Sequence, residues 1–131
     1  LFYRSRRSFA VKELIARVEG SAFDLGPVRA RPMFGGYGVY IGDLMVALIA
    51  GGQLYLKSGE GNRPDFEALG LPLFTYMREG KRVSLGYSLA PDGVDLYPWL
   101  EGAVTEARAR KRKQDTRKPP KAKRPNDNPF L

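Results

Sequence analysis

Val39-Tyr40-Ile41-Gly42-Asp43-Leu44-Met45-Val46-Ala47-Leu48-Ile49-Ala50-Gly51-Gly52-Gln53-Leu54-Tyr55-Leu56 is the stretch on which the fold turns. Three runs of aliphatic, aromatic and β-branched residues are separated by two-residue links, Gly42-Asp43 and Gly51-Gly52. Links of that length and composition favour primed turns, which need positive φ at one or both positions, and such turns join antiparallel strands. The unbroken apolar run from Leu44 to Ala50 also fits a piece of buried helix, but seven residues between two glycine turns suit a central strand better. Three antiparallel strands are therefore expected, with Val28 to Phe34 as a candidate extension at the front.

On the N-terminal side, Val11, Leu14, Ile15 and Val18 recur at i, i+3, i+4 and i+7, opposite Lys12, Glu13, Arg17 and Glu19. This predicts an amphipathic helix with Ser8 as N-cap and Gly20 as stop. On the C-terminal side, Asn62 is positioned to cap a short helix that has Pro64 in its first turn, turns Phe66 and Leu69 inward, and ends at Gly70 and Pro72. Phe74, Tyr76, Val83, Leu85 and Tyr87 alternate about the Glu79-Gly80 link and predict a second hairpin. A last helix is expected from about Asp95, with Pro98 near its first turn and Leu100, Ala103, Val104 and Ala107 as its buried stripe. The order α-βββ-α-ββ-α predicts an α+β domain of two layers, an antiparallel sheet with helices on one face.

The whole chain has 131 residues, enough for one compact core and tails. It carries 22 basic and 14 acidic residues, a net charge of +8. Ten of the basic residues, Arg108, Arg110, Lys111, Arg112, Lys113, Arg117, Lys118, Lys121, Lys123 and Arg124, lie beyond Ala107 against only Asp115 and Asp127, so this segment accounts for the entire excess. The body up to Ala107 balances twelve bases with twelve acids. A domain over 8–107 and a basic, disordered tail over 108–131 are expected, because Lys, Arg and Pro without apolar partners cannot offset the entropy of ordering.

Cysteine and histidine are both absent, which excludes thiolate nucleophiles, disulfides, zinc-finger sites and Ser-His-Asp chemistry. No catalytic, cofactor or metal constellation is read from the remaining residues. Asp65 and Glu67, two apart on a short helix, point to different faces, and Glu60 with Lys57 reads as a loop ion pair. Gly35-Gly36-Tyr37-Gly38 has the glycines of a phosphate loop but is followed by strands rather than by the helix N-terminus such a loop needs, so it reads as a tight turn. Tyr37, Tyr40, Tyr55, Tyr76 and Tyr87 leave three readings open: a base-stacking face, a dimer interface, or half-exposed packing. The chain has no apolar run near the roughly 18 residues of a membrane span and no leader-like segment, so the cytoplasm is the expected compartment. A chain beginning at Leu1 is expected to be part of a longer one.

Arg31-Pro32-Met33-Phe34-Gly35-Gly36-Tyr37-Gly38-Val39-Tyr40, then Ala47-Leu48-Ile49-Ala50-Gly51-Gly52-Gln53-Leu54-Tyr55-Leu56-Lys57, then Asn62-Arg63-Pro64-Asp65-Phe66-Glu67-Ala68-Leu69-Gly70 and Phe74-Thr75-Tyr76 occur in order. Together with the flanking helices, from about Phe9 to Ala107, they resemble the N-terminal domain of the TfoX/Sxy family. The resemblance implies a fold similar to the secretion-chaperone-like domains, a tendency to form homodimers, and a non-enzymatic role in transcription regulation. Members of the family regulate competence together with the cyclic-AMP receptor protein and carry a second, helical domain. Here a basic segment stands in that domain's place, and Ser58-Gly59-Glu60-Gly61 is less acidic than the loop relatives often show. The expected function is a regulatory protein whose ten basic tail residues contact DNA or RNA. The alternative is a protein-binding adaptor that uses the sheet face, with the tail serving solubility.

Overall fold

The computed structural model describes residues 9–22, 24–33 and 35–117. Nine elements follow in order: α1 (Val11–Ala22), β1 (Val28–Met33), β2 (Gly36–Ile41), β3 (Leu44–Ala50), β4 (Gln53–Lys57), α2 (Arg63–Ala68), β5 (Leu73–Arg78), β6 (Lys81–Leu89) and α3 (Tyr97–Arg117). The six strands form one antiparallel sheet in the order β1-β2-β3-β4-β6-β5. This is the expected α+β architecture, with the candidate front extension present as β1. Phe34, the end of that extension, lies outside the described residues.

Turn chemistry sets the register. Gly51 and Gly52 have φ of 58° and 73°, and Glu79 and Gly80 have φ of 51° and 77°, the paired positive values of a type I′ hairpin. Glu79 is the only non-glycine with positive φ among the described residues. Between β2 and β3 the register shifts at Val39/Tyr40, leaving Val46 as an extra residue on β3 between Met45 and Ala47. On one face, Val39, Ile41, Ala47, Ile49, Leu54 and Leu56 join Leu14, Val18 and Ala22 of α1 and Leu100, Ala103, Val104 and Ala107 of α3 in the main core. Each Leu, Ile or Val among them contributes roughly 1.5–3 kcal/mol through its removal from water.

The other face is not left open along β3. Leu48 is only 2% exposed although it lies outside the main core. It borders a small apolar cleft of about 140 Å³ with Met33 of β1, Phe74 and Tyr76 of β5 and Leu85 of β6, so the two ends of the sheet approach each other across its middle. Burial on both faces explains why β3 is a continuous apolar run rather than an alternation.

Three local expectations need correction. α1 continues past Gly20 to Ala22 because Val18 and Ala22 are both buried, and packing of that stripe outweighs the modest cost of a helical glycine. Its N-terminus is closed by Glu13, whose Oε1 accepts the Ala10 N–H at 3.0 Å, while Ser8 lies outside the described residues. On α2, Phe66 is fully buried and meets Trp99 edge-on at 5.0 Å, but Leu69, the C-cap just past Ala68, is 50% exposed because the short helix ends before a second inward position. Finally, α3 runs ten residues beyond Ala107 to Arg117, so the first part of the expected disordered tail is helix. Lys and Arg are good helix formers, and positive charge near a helix C-terminus is favoured by the helix dipole.

Candidate functional site

β4 ends at Lys57, and the chain crosses a loop over 58–62 before entering α2 at Arg63. Asn62 does not make the expected side-chain cap. Its Oδ1 instead accepts the Gly59 N–H at 2.8 Å and its Nδ2 donates to the Lys57 carbonyl at 3.0 Å, so the side chain closes the loop rather than the helix. The loop is tied to the sheet by the Ser58 N–H, which donates to the Gly86 carbonyl at 2.9 Å, and by the buried pair of Ser58 and Ser88 hydroxyls 2.8 Å apart. α3 docks against it through Glu106, whose Oε2 accepts the Gly61 N–H at 3.1 Å. A Cβ at Gly59 or Gly61 would collide with the Glu106 carboxylate, so the two glycines permit this approach.

Around the loop opens a cleft of about 670 Å³. Four cations line it, Lys57, Arg63, Arg110 and Lys113, with two carboxylates, Glu60 and Glu106. Lys57 is half-buried and its Nζ lies 4.9 Å from the centroid of the Tyr87 ring. Burial draws its pKa below that of an ordinary lysine, and the Arg110 and Arg63 charges act in the same direction, with only Glu106 opposing. Arg63 donates from Nη2 to the Ser58 carbonyl at 3.0 Å, while its Nε is buried with no hydrogen-bond partner. The expected ion pair between Lys57 and Glu60 does not form among the described residues; the ammonium takes the Tyr87 ring instead.

The ten basic residues singled out from the sequence are distributed as follows. Arg108, Arg110, Lys111, Arg112 and Lys113 are exposed on the C-terminal part of α3, and Arg117 is its last residue. Lys118, Lys121, Lys123 and Arg124 lie outside the described residues. Helical spacing divides the first group. Arg110 and Lys113 line the cleft with Glu106, whereas Lys111 donates to Asp43 Oδ2 at 2.7 Å and holds that carboxyl below the usual range. Arg108 and Arg112 continue the exposed line of Glu101 and Thr105.

The five tyrosines do not share one open face. Tyr37 packs on the main core, and Tyr55 meets Phe74 edge-on at 5.1 Å, with Phe74 in turn stacked 6.2 Å from Tyr76. Arg31 lies over Tyr40 at 5.8 Å. Tyr87 is buried, donates its hydroxyl to the Met45 carbonyl at 3.1 Å, and has its pKa pushed up to about 12, chiefly by burial. Asp65 and Glu67 are exposed on α2, and Gly36 opens strand β2, in keeping with a turn at Gly35. Among the described residues, no three acidic side chains come together as a metal site, and no helix is long and apolar enough to cross a membrane.

Sequence reasoning did not find Arg63 or Glu106 as parts of a site. The available signal was the pair of cations, Lys57 and Arg63, that brackets a loop with two glycines. The sequence model described as the TfoX N-terminal domain matches residues 22–107. No curated protein matches the chain.

Proposed function

Because the chain belongs to the TfoX N-terminal domain family, we propose that it is a non-enzymatic regulatory protein that contacts nucleic acid through the basic end of α3 and the segment after it. The observation that carries this reading is the separation of charge: the body up to Ala107 is neutral and the whole excess of +8 follows it. Arg108 and Arg112, exposed on a helix, give the first of these charges a regular spacing suited to phosphates. Phosphate contacts fix position and carry no sequence information, so any choice of promoter or RNA comes from elsewhere. Action on transcription, a role in competence, a cytoplasmic location and a homodimeric state belong to the same proposal.

The test uses the full chain and a variant with Arg108, Arg112, Lys118, Lys121, Lys123 and Arg124 changed to Gln, each mixed with a labelled DNA duplex and a labelled single strand. The intact chain binds and the variant binds far more weakly; equal binding by both contradicts the reading. Gel filtration at tens of micromolar tests the dimer, and a mass equal to one chain removes it. A second reading, a protein-binding adaptor, is favoured by one feature, the apolar cleft of Met33, Leu48, Phe74, Tyr76 and Leu85. Capture of nuclease-sensitive nucleic acid, with no protein partner, counts against that alternative.

A further inference from the structure

The cleft around the loop over 58–62 is not needed for contact between the end of α3 and nucleic acid, and its chemistry points elsewhere. Its cations converge from three separate parts of the fold: Lys57 at the end of β4, Arg63 at the start of α2, and Arg110 with Lys113 on α3. Two of them are held in place. The Arg63 guanidinium is anchored on the Ser58 carbonyl, and the Lys57 ammonium rests against the Tyr87 ring. A side chain at Gly86, where φ is +80°, would press on that ammonium at 3.1 Å, so glycine keeps its position open. Of the two carboxylates, Glu106 is already engaged by the Gly61 N–H.

Two deficits remain, and one kind of ligand meets both. Lys57 is drawn out of water among like charges, which an anion would offset. The Arg63 Nε–H is a buried donor without an acceptor, an uncommon state that calls for a partner. A guanidinium with a lysine beside it matches the geometry and charge of a phosphate, with the arginine donating in a planar fork and the lysine acting as a point charge. The cleft volume, about 670 Å³, is in the range of small-ligand sites and exceeds what one phosphate fills. The Tyr87 ring is buried and already faces Lys57, so no aromatic surface is offered for stacking a base.

We propose that this cleft binds a phosphate dianion, free or carried on a small polar ester, with Lys57 and Arg63 as its principal ligands and Arg110 closing over it from α3. The inference goes beyond nucleic-acid contact and stands or falls separately from it, since Arg108 and Arg112 take no part.

The experiment is a titration of the full ¹⁵N-labelled chain at constant ionic strength, with inorganic phosphate in one arm, ribose 5-phosphate in a second and a short single-stranded oligonucleotide in a third. The Gly59, Gly61 and Gly86 amides and the Arg63 Nε–H move saturably with phosphate or its ester. Tighter binding of ribose 5-phosphate identifies an ester as the ligand, and equal binding identifies free phosphate. Lys57→Met and Arg63→Lys each weaken the titration about tenfold or more, in line with loss of a charge-assisted contact. Arg108→Gln and Lys81→Gln change it less than twofold. Arg110→Gln, at an exposed helical position that cannot unfold the domain, weakens it about threefold or more. Shifts that follow ionic strength alone, a response to the oligonucleotide only, or equal affinity in the Lys57, Arg63 and Arg110 variants and the wild type overturn the proposal.

Discussion

Replacing Tyr87 with Phe should produce stability curves that cross with pH, and the structure fixes both the sign and the size. At neutral pH the substitution removes one hydrogen bond, from the Tyr87 hydroxyl to the Met45 carbonyl at 3.1 Å, and costs about 1 kcal/mol. The ring stays, so Lys57 keeps the aromatic face it rests on. Above pH 10 the balance changes. Burial raises the phenol pKa from 10.0 in the unfolded chain to about 12 in the folded one. The fold therefore favours the protonated phenol, a contribution fully present below pH 10 and lost as pH rises through 12. A shift of about two units corresponds to roughly 2.7 kcal/mol when complete, and about half of that is gone near pH 11. Phe has no such loss. Wild type should be the more stable below about pH 10.5, the two should become equal near pH 11, and the variant should be the more stable beyond it. Guanidinium unfolding followed by circular dichroism at pH 7, 9, 10, 11 and 11.5 reads the difference directly, because the other tyrosines titrate in both proteins. A gap that stays constant across this range would show that the Tyr87 hydroxyl is not buried as described.

Asn62→Ala breaks the two hydrogen bonds that close the loop, to Gly59 and Lys57, and should cost about 2 kcal/mol in denaturant unfolding; a loss below about 0.5 would contradict the role given to that side chain. Glu79→Asn relieves a left-handed conformation at a type I′ position and should stabilise the protein by about 0.5–1 kcal/mol, read as a raised midpoint with unchanged slope. Phe66→Ala should cost about 3–5 kcal/mol and alter the fluorescence of Trp99, the single tryptophan, whereas Leu69→Ser, at the C-cap of the same short helix, should stay within about 0.5 kcal/mol of wild type. Comparable losses from both would return Leu69 to the core.

Glycine positions and period-two runs make the sheet legible in the sequence. Gly51-Gly52 and Glu79-Gly80 do adopt paired positive φ, and the stripe of Leu100, Ala103, Val104 and Ala107 does face the core. What escaped had physical reasons. The extension of α3 to Arg117 contains no apolar residue after Ala109, so periodicity is silent there and only the helix propensity of Lys and Arg could have signalled it. α1 outlasts Gly20 because tertiary packing of Ala22 overrides a local stop. Asn62 has the composition of a cap, yet its side chain finds two better partners in the loop behind it, a competition that residue type alone does not reveal. The cleft was invisible because Lys57, Arg63, Gly86 and Arg110 are brought together only by the pairing of β4 with β6 and the docking of α3. Reading the ten basic residues as one tail also hid a division that the helix imposes, with Lys111 committed to Asp43 and Arg110 turned toward the cleft.

The most direct test of the proposed function is the salt dependence of duplex binding by the full chain, set beside the variant in which Arg108, Arg112, Lys118, Lys121, Lys123 and Arg124 are Gln. Each phosphate neutralised contributes about 0.9 to the slope of log affinity against log salt, so six lost contacts should reduce its magnitude by about 5. A steep slope in the intact chain that flattens by that amount in the variant is the predicted result. An intact chain that fails to bind at low salt, or a slope that the six substitutions leave unchanged, contradicts the account.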